Sequence, residues 1–487
     1  MMIGMFFPFL LLAPLLAGSA SPEASSIRIE AGDGLPALVP LVRTRDAVQL
    51  SPALRVLTGS TQGASIWFLA DLREQLDFER SARLLDQASL SRSAQRAWVT
   101  RALTAIALRG RRRLRGVLDE LKRKGEVDSW TGVSIVNRLL IKGRPAAVEV
   151  LSRHPEVASL AGEIESEGSL QADRETPAAP AEESSSWPLA AIGAKEAWLA
   201  GIDGRGVTVG LIDSGASNLH EQLRGNFRGG RRSWFDPLRQ RPAPSDVQLG
   251  HGTAVLSCAV GRGHPSAPCG VAPGAKWIAA VGLNQGRYNN VLATRAADWM
   301  LNVGRPDVLI VPWRLLGQPC DDSLRPIVNA WRAAGIVVVF AAGNSGPGPA
   351  SDVAPANYTR LFPGSATALS VGAVDREGKT DAHSSRGPNR CGEDLFPQLV
   401  APGSDVPVAL PAATDLYRRV SGTSFAAAYV AGASALLLQR FPEARVDRIE
   451  EALRRGAVDL GPPGPDTAFG YGLINVPRAL EYLEGHR

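Results

Sequence analysis

From Trp187 onward the chain alternates short apolar runs with segments of helical periodicity, and this alternation restricts its fold more than any other feature. The runs Val207–Ile212, Lys276–Val281, Val308–Val311, Ile336–Ala341, Ala368–Val374 and Leu399–Ala401 read as strands. Helical segments lie between and after them: one following His251, one near Val291–Leu301, one near Leu324–Ala334 and one from Ser424. Strands that are apolar throughout are buried on both faces. Parallel strands need a crossover between them, usually a helix. The pattern predicts an α/β domain over residues 187–487, built on a doubly wound, mostly parallel sheet.

The preceding chain has a different texture. Ser65–Leu72 reads as a strand. Ser91–Lys124 reads as a helix, with Ala94, Trp98, Leu103, Ile106, Leu114, Leu118 and Leu121 at helical spacing. Val133–Ile141 is apolar and β-branched, Arg144–Arg153 is a second helix with Pro145 near its start, and Val157–Ile164 is a last strand. This order predicts a small α+β open-faced sandwich over residues 64–164. Residues 21–63 show little period and read as a loose leader. Residues 165–186 are acidic and rich in Ser, Ala and Pro, a linker that is exposed and easily cut.

The first twenty residues form a separate object. Phe6–Ala17 is an apolar run too short to span a bilayer, which takes about 20 residues. Ala17, Gly18, Ser19 and Ala20 follow, the layout of a secretory signal peptide over residues 1–20. No later segment qualifies as a membrane span, so export without a stable membrane anchor is expected. In an exported chain four Cys permit two disulfides; the reading leans to Cys258–Cys269 and Cys320–Cys391. No C-x-x-C and no paired His suggest a zinc site. Lys+Arg minus Asp+Glu is 53 − 48 = +5, too little over this length to argue for a nucleic-acid partner. The basic stretch Arg92–Lys124 has helical spacing and reads as a solvated helix face.

Three short motifs stand at the ends of the elements. Gly210-Leu-Ile-Asp213-Ser-Gly215 puts a carboxylate at the C-terminal end of a buried strand. Gly250-His251-Gly252-Thr253 puts an imidazole at the start of a helix, and Ser421-Gly-Thr-Ser424-Phe-Ala-Ala puts a hydroxyl at the start of another. In an open α/β sheet ligands sit beyond the carboxyl ends of the strands, so all three side chains are expected on one rim. A serine hydroxyl needs a base within hydrogen-bond reach, and the base needs a group that fixes its tautomer; Ser424, His251 and Asp213 supply these parts. In Ala341-Ala-Gly-Asn344-Ser-Gly, the Asn344 amide follows a strand and can donate to an oxyanion beside the Ser424 N–H. Each motif alone is weak, since each also reads as a turn or a helix cap. Their joint order on suitable elements carries the reading. The pair Gly204-x-Gly206 precedes its strand, which misplaces a nucleotide cradle.

With these motifs the chain resembles the subtilisin-like serine proteases (subtilases) over about Trp187–Leu483. Gly270-Val-Ala-Pro-Gly-Ala275, Ser384-Ser-Arg-Gly-Pro388, Val400-Ala-Pro-Gly403 and Phe469-Gly-Tyr-Gly-Leu-Ile-Asn475 match family connectors. Lys276-Trp-Ile-Ala-Ala, Asn329-Ala-Trp-Arg-Ala-Ala-Gly-Ile and residues 64–164 look like the bacillopeptidase F branch and its inhibitory propeptide. The resemblance implies a secreted serine endopeptidase acting on proteins or peptides, made as a zymogen whose own prodomain inhibits it until the linker is cut. Asp213, His251 and Ser424 would be the triad and Asn344 the oxyanion-hole residue. Pro312, Trp313, Arg314 and Gly343 would line the substrate site. The chemistry would need no metal or other cofactor, although many family members bind structural calcium.

The sequence departs from the family at Ala254, Ala428 and most of all at Ile310-Val-Pro312-Trp313-Arg314, where the family reads Asn-Asn-Ser-Trp-Gly. Pro312 removes a donor from a substrate-pairing edge, and Arg314 adds bulk and charge where Gly leaves room. Two readings of Arg314 stand: it favours an acidic residue just before the scissile bond, or it points to solvent. The same departure supports an alternative reading of the whole chain as a catalytically weak or inactive subtilase-like protein that binds peptides.

Overall fold

The computed structural model describes residues 25–30, 35–44, 47–60, 63–88, 90–166, 187–247, 250–263, 270–315, 319–359 and 368–486. The expected signal peptide and the linker beyond Ser166 lie outside the described residues.

The C-terminal domain is built on seven strands: β1 (Thr208–Asp213), β2 (Trp234–Phe235), β3 (Lys276–Val281), β4 (Val308–Val311), β5 (Val337–Ala341), β6 (Leu369–Val374) and β7 (Leu399–Pro402). All pair in parallel, in the order β2-β3-β1-β4-β5-β6-β7. The sequence alternation predicts this doubly wound α/β sheet; the short edge strand β2 escapes it because two residues carry no period. The order turns at β1, from which the chain first builds β3 and β2 on one side and then β4 to β7 on the other. Four helices matter for the site: α1 (His251–Val260), α2 (Asn290–Trp299), α3 (Arg325–Ala333) and α4 (Thr423–Arg440). In α4 every residue from Thr423 to Leu438 is buried. A helix apolar on all sides belongs in a core, and α4 packs against α1 and across the sheet.

The N-terminal unit holds two sheets. Ser25–Arg28, Leu38–Arg43 and Glu74–Leu76 form an antiparallel sheet. A second runs in the order Gln49–Leu50, Val157–Gly162, Ile66–Leu72, Arg138–Gly143, Val127–Val133. The stretch read as a loose leader therefore carries two strands of the first sheet, an edge strand of the second and the helix Pro52–Ser60. Leu41 and Val39 bury completely there, an alternation too short to stand out in sequence. The apolar run Val133–Ile141 is not one strand: it turns at residues 134–137, joining two antiparallel strands. The long helix Arg92–Arg123 is not merely solvated on its basic face. Arg109 and Arg113 pair with the buried Glu74, and Arg92 pairs with Asp307 at 2.6 Å.

The two parts share a core. Trp98, Val99, Leu103 and Ile106 of the long helix belong to one apolar cluster with residues of α2, α3 and one face of the parallel sheet. Gln95 Nε2 donates to the Ala333 carbonyl at 2.8 Å and Arg96 Nε to Ala334 at 3.2 Å. These donors meet the C-terminal carbonyls of α3, where a cation is favoured. Asp298 of α2 accepts from the Ser134 and Ile135 N–H groups at 2.7 and 2.8 Å. The chain leaving the unit, Glu165–Ser166, pairs antiparallel with Tyr288 and Asn289.

Cys320 and Cys391 form a disulfide, Cα–Cα 5.4 Å. Of the expected Cys258–Cys269 pair, Cys269 lies outside the described residues, and Cys258 is a buried thiol on α1 beside the Tyr429 hydroxyl of α4. Among the described residues no helix is long and apolar enough to cross a membrane.

Candidate active site

β1 ends in Asp213, which is completely buried between β3 and β4 at the point where the strand order turns. Ligand crevices form at such points, beyond the carboxyl ends of the strands. His251 opens α1, and its Nδ1 lies 2.9 and 3.0 Å from the two Asp213 oxygens. The start of α1 is fixed by Gly250, whose left-handed backbone (φ 63°) favours glycine. A Cβ at Gly250 would stand 2.1 Å from Pro411 Cδ, so a larger residue would displace the turn that aims the imidazole. Asp213 Oδ1 also accepts the Ser214 N–H at 2.6 Å.

Behind this pair stands Asp246, which the motifs do not single out. Its carboxylate accepts from Ser214 Oγ at 2.8 Å, from the Thr253 N–H at 2.8 Å and from Thr253 Oγ1 at 2.7 Å. It ties the residue after Asp213 to the first turn of α1. Burial, then the neighbouring Asp213 charge, pushes the Asp246 carboxyl above the usual carboxylate range.

Ser424 is the second residue of α4 and is 5% exposed. Its hydroxyl donates to the Pro312 carbonyl at 3.0 Å. Its N–H belongs to the first helical turn, whose amides have no intrahelical acceptor. Asn344 Oδ1 accepts from the Thr423 N–H at 3.0 Å and from Thr423 Oγ1 at 2.9 Å. That anchoring fixes the rotation of the amide and makes Nδ2 its donor end. Gly343 donates its N–H to Thr423 Oγ1 at 3.1 Å. Its backbone is left-handed (φ 106°), and a Cβ would lie 2.8 Å from Val353 Cγ2.

Pro312, Trp313, Arg314, Ala341, Gly343, Asn344, Thr423 and Ser424 together line one niche with a volume of about 20 Å³. The His251 ring adjoins this group through Phe425, the residue after Ser424, with ring centroids 6.1 Å apart. Each expected site residue is thus placed at the same end of the sheet, in two adjoining groups: Asp213 with His251, and Ser424 with Asn344, Gly343 and Pro312–Arg314. Trp313 turns its ring into the core, donating Nε1–H to the Ile212 carbonyl at 2.7 Å and packing on Tyr288. Arg314 is half-buried, and its Nη1 donates to Ser345 Oγ. Among the described residues no group of three or more His, Cys, Asp or Glu is placed to hold a metal ion.

A parallel sheet carrying Asp, His and Ser at one rim in that chain order is the architecture of a subtilisin-like peptidase. The comparisons with known proteins agree. The model of the subtilase family matches residues 204–472, more than half of the chain, and the chain belongs to that family. It is 30% identical to Bacillopeptidase F of Bacillus subtilis (strain 168) over 394 residues, covering 74% of this chain but only 27% of that protein. It is 33% identical to Subtilisin Savinase of Lederbergia lenta over 295 residues, 60% of this chain and 97% of that protein. It is 29% identical to the Minor extracellular protease Epr of Bacillus subtilis (strain 168) over 290 residues, 59% of this chain and 40% of that protein.

Proposed function

We propose that the chain is a secreted serine endopeptidase that hydrolyses peptide bonds through an acyl-enzyme and is made as a self-processing zymogen. The observation that carries this reading is the buried Asp213–His251 pair, 2.9 Å apart, adjoining the niche that Ser424 shares with Asn344. In the proposed reaction Ser424 Oγ attacks the scissile carbonyl while His251 takes its proton. Asp213 holds the tautomer in which His251 Nδ1 carries hydrogen, and it stabilises the imidazolium. The oxyanion is received by Asn344 Nδ2 and the Ser424 N–H. His251 returns the proton to the leaving amine, and water then hydrolyses the acyl-enzyme. No step draws on a metal; bound calcium, where present, would be structural.

The N-terminal unit is the proposed inhibitor. Its exit strand Glu165–Ser166 lies along Arg287–Asn289 as an added β-strand, a mode in which main-chain bonds supply affinity. Residues 1–20 are the proposed export signal, in keeping with a relative described as extracellular. Mass spectrometry of the chain expressed in a secreting host tests the reading. It expects mature N-termini between residues 165 and 187, and an uncut chain for Ser424→Ala. An uncut native chain, or a Ser424→Ala chain cut at the same bond, would contradict it.

A second reading, a weak or inactive peptide-binding subtilase, is favoured by one observation: a niche of about 20 Å³ leaves space for little more than one water.

A further inference from the structure

We propose that Arg314 sets the specificity of the site, so that the residue contributing the scissile carbonyl is an acidic one. The inference rests on the endopeptidase reading above and names its substrate class.

Pro312–Arg314 continues from the end of β4, and Ala341–Ser345 from the end of the neighbouring strand β5. These two segments are the walls of the niche that holds Ser424. The Arg314 side chain reaches across to the second segment, where its Nη1 donates to the exposed Ser345 Oγ just beyond Asn344.

Arg314 is the one charged side chain among the described residues that line the niche. Its guanidinium is half-buried, and burial pushes its pKa down from the ordinary value; an arginine side chain nonetheless keeps its charge in proteins. The Ser345 hydroxyl is a neutral acceptor at a solvent-accessible tip. A carboxylate is a stronger acceptor and matches the guanidinium fork bidentately. A substrate carboxylate can therefore take over the guanidinium from Ser345.

The chain's own processing segment has the matching chemistry. Between Ser166 and Trp187 the sequence carries Glu167, Asp173, Glu175, Glu182 and Glu183 against Arg174 as the single base. The exit strand Glu165–Ser166, already paired with Tyr288 and Asn289, is followed directly by Glu167.

The test uses enzyme matured from the full chain and fluorogenic peptides that differ only at the residue before the cut: Asp, Glu, Ala or Phe. Rates are normalised to the active sites that a fluorophosphonate labels. The native enzyme is expected to cleave the Asp peptide about tenfold or more faster, in kcat/KM, than the Ala or Phe peptide. Arg314→Gly is expected to lose that preference and to gain on Phe; Arg314→Lys, a charge without the fork, should fall between. A labelled native enzyme that prefers Ala or Phe, or an unchanged ranking in both variants, overturns the assignment of Arg314 alone. A native enzyme that takes no label overturns the endopeptidase reading and this inference with it.

Discussion

Asn344 is held by its oxygen and proposed to act through its nitrogen, and two substitutions separate these roles. Asn344→Asp keeps an acceptor for Thr423 but removes the donor. The loss of one such donor typically lowers kcat by about 10²–10³-fold, about 3–4 kcal/mol of transition-state stabilisation. Asn344→Ala removes both. Thr423 is 1% exposed, so water cannot replace the acceptor for its N–H. An orphaned buried donor costs about 1–3 kcal/mol. The Thr423 hydroxyl loses the same acceptor, which moves the loss toward the upper end. The expected outcome is therefore a comparable fall in kcat for both variants, with destabilisation for Asn344→Ala alone. Activity is read on a chromogenic peptide after active-site titration. Stability is read from urea midpoints in a Ser424→Ala background, which removes autolysis. Near-native kcat in both variants, or equal destabilisation in both, would refute the division of labour between the two atoms.

Three further outcomes are expected. Arg332 and Glu450 form a nearly inaccessible ion pair between α3 and the helix Val446–Gly456, with a bond of 2.9 Å; Glu450→Ala leaves a buried charge alone and should cost about 3–5 kcal/mol in the same urea assay. Replacing Cys320 and Cys391 by Ser opens a link across 71 residues and should cost about 2–4 kcal/mol, so unchanged midpoints would show the bond to be absent. Burial raises the Asp298 carboxyl above its usual range where it accepts from Ser134 and Ile135, against the Arg111 charge, which lowers it. A carboxyl raised by docking binds its proton more tightly when docked. Its contribution is complete below the ordinary carboxyl range and is lost as pH rises through the raised value. The cut N-terminal unit should thus dissociate faster at neutral pH than in mild acid, and Asp298→Asn should flatten that slope; native gels at several pH values measure both.

The parallel sheet was legible because its strands are apolar on both sides and its crossovers are helical. Asp213, His251, Ser424 and Asn344 were legible because each sits in a short motif at the end of such an element. Asp246 was not, since its partners Ser214 and Thr253 come from separate segments and no local pattern joins them. The fold of residues 25–60 was hidden for a related reason. Its strands become regular only when paired with Glu74–Leu76 and Val157–Gly162. The basic helix face looked solvated because Glu74, Glu156 and Asp307, which neutralise it, lie far away in the chain. Cys258 looked like a disulfide partner by count alone, whereas the α1–α4 contact places its sulfur in the core.

The central claim is that residues 213, 251 and 424 work as one proton-transfer chain, and the site of covalent capture tests it most directly. The matured protein is treated with a fluorophosphonate and its peptides are mapped by mass spectrometry. The account expects a single adduct on Ser424 and labelling that slows by orders of magnitude in Asp213→Asn, where the imidazole takes the wrong tautomer. An adduct on another serine, or labelling of Ser424 at the native rate in Asp213→Asn, would contradict it.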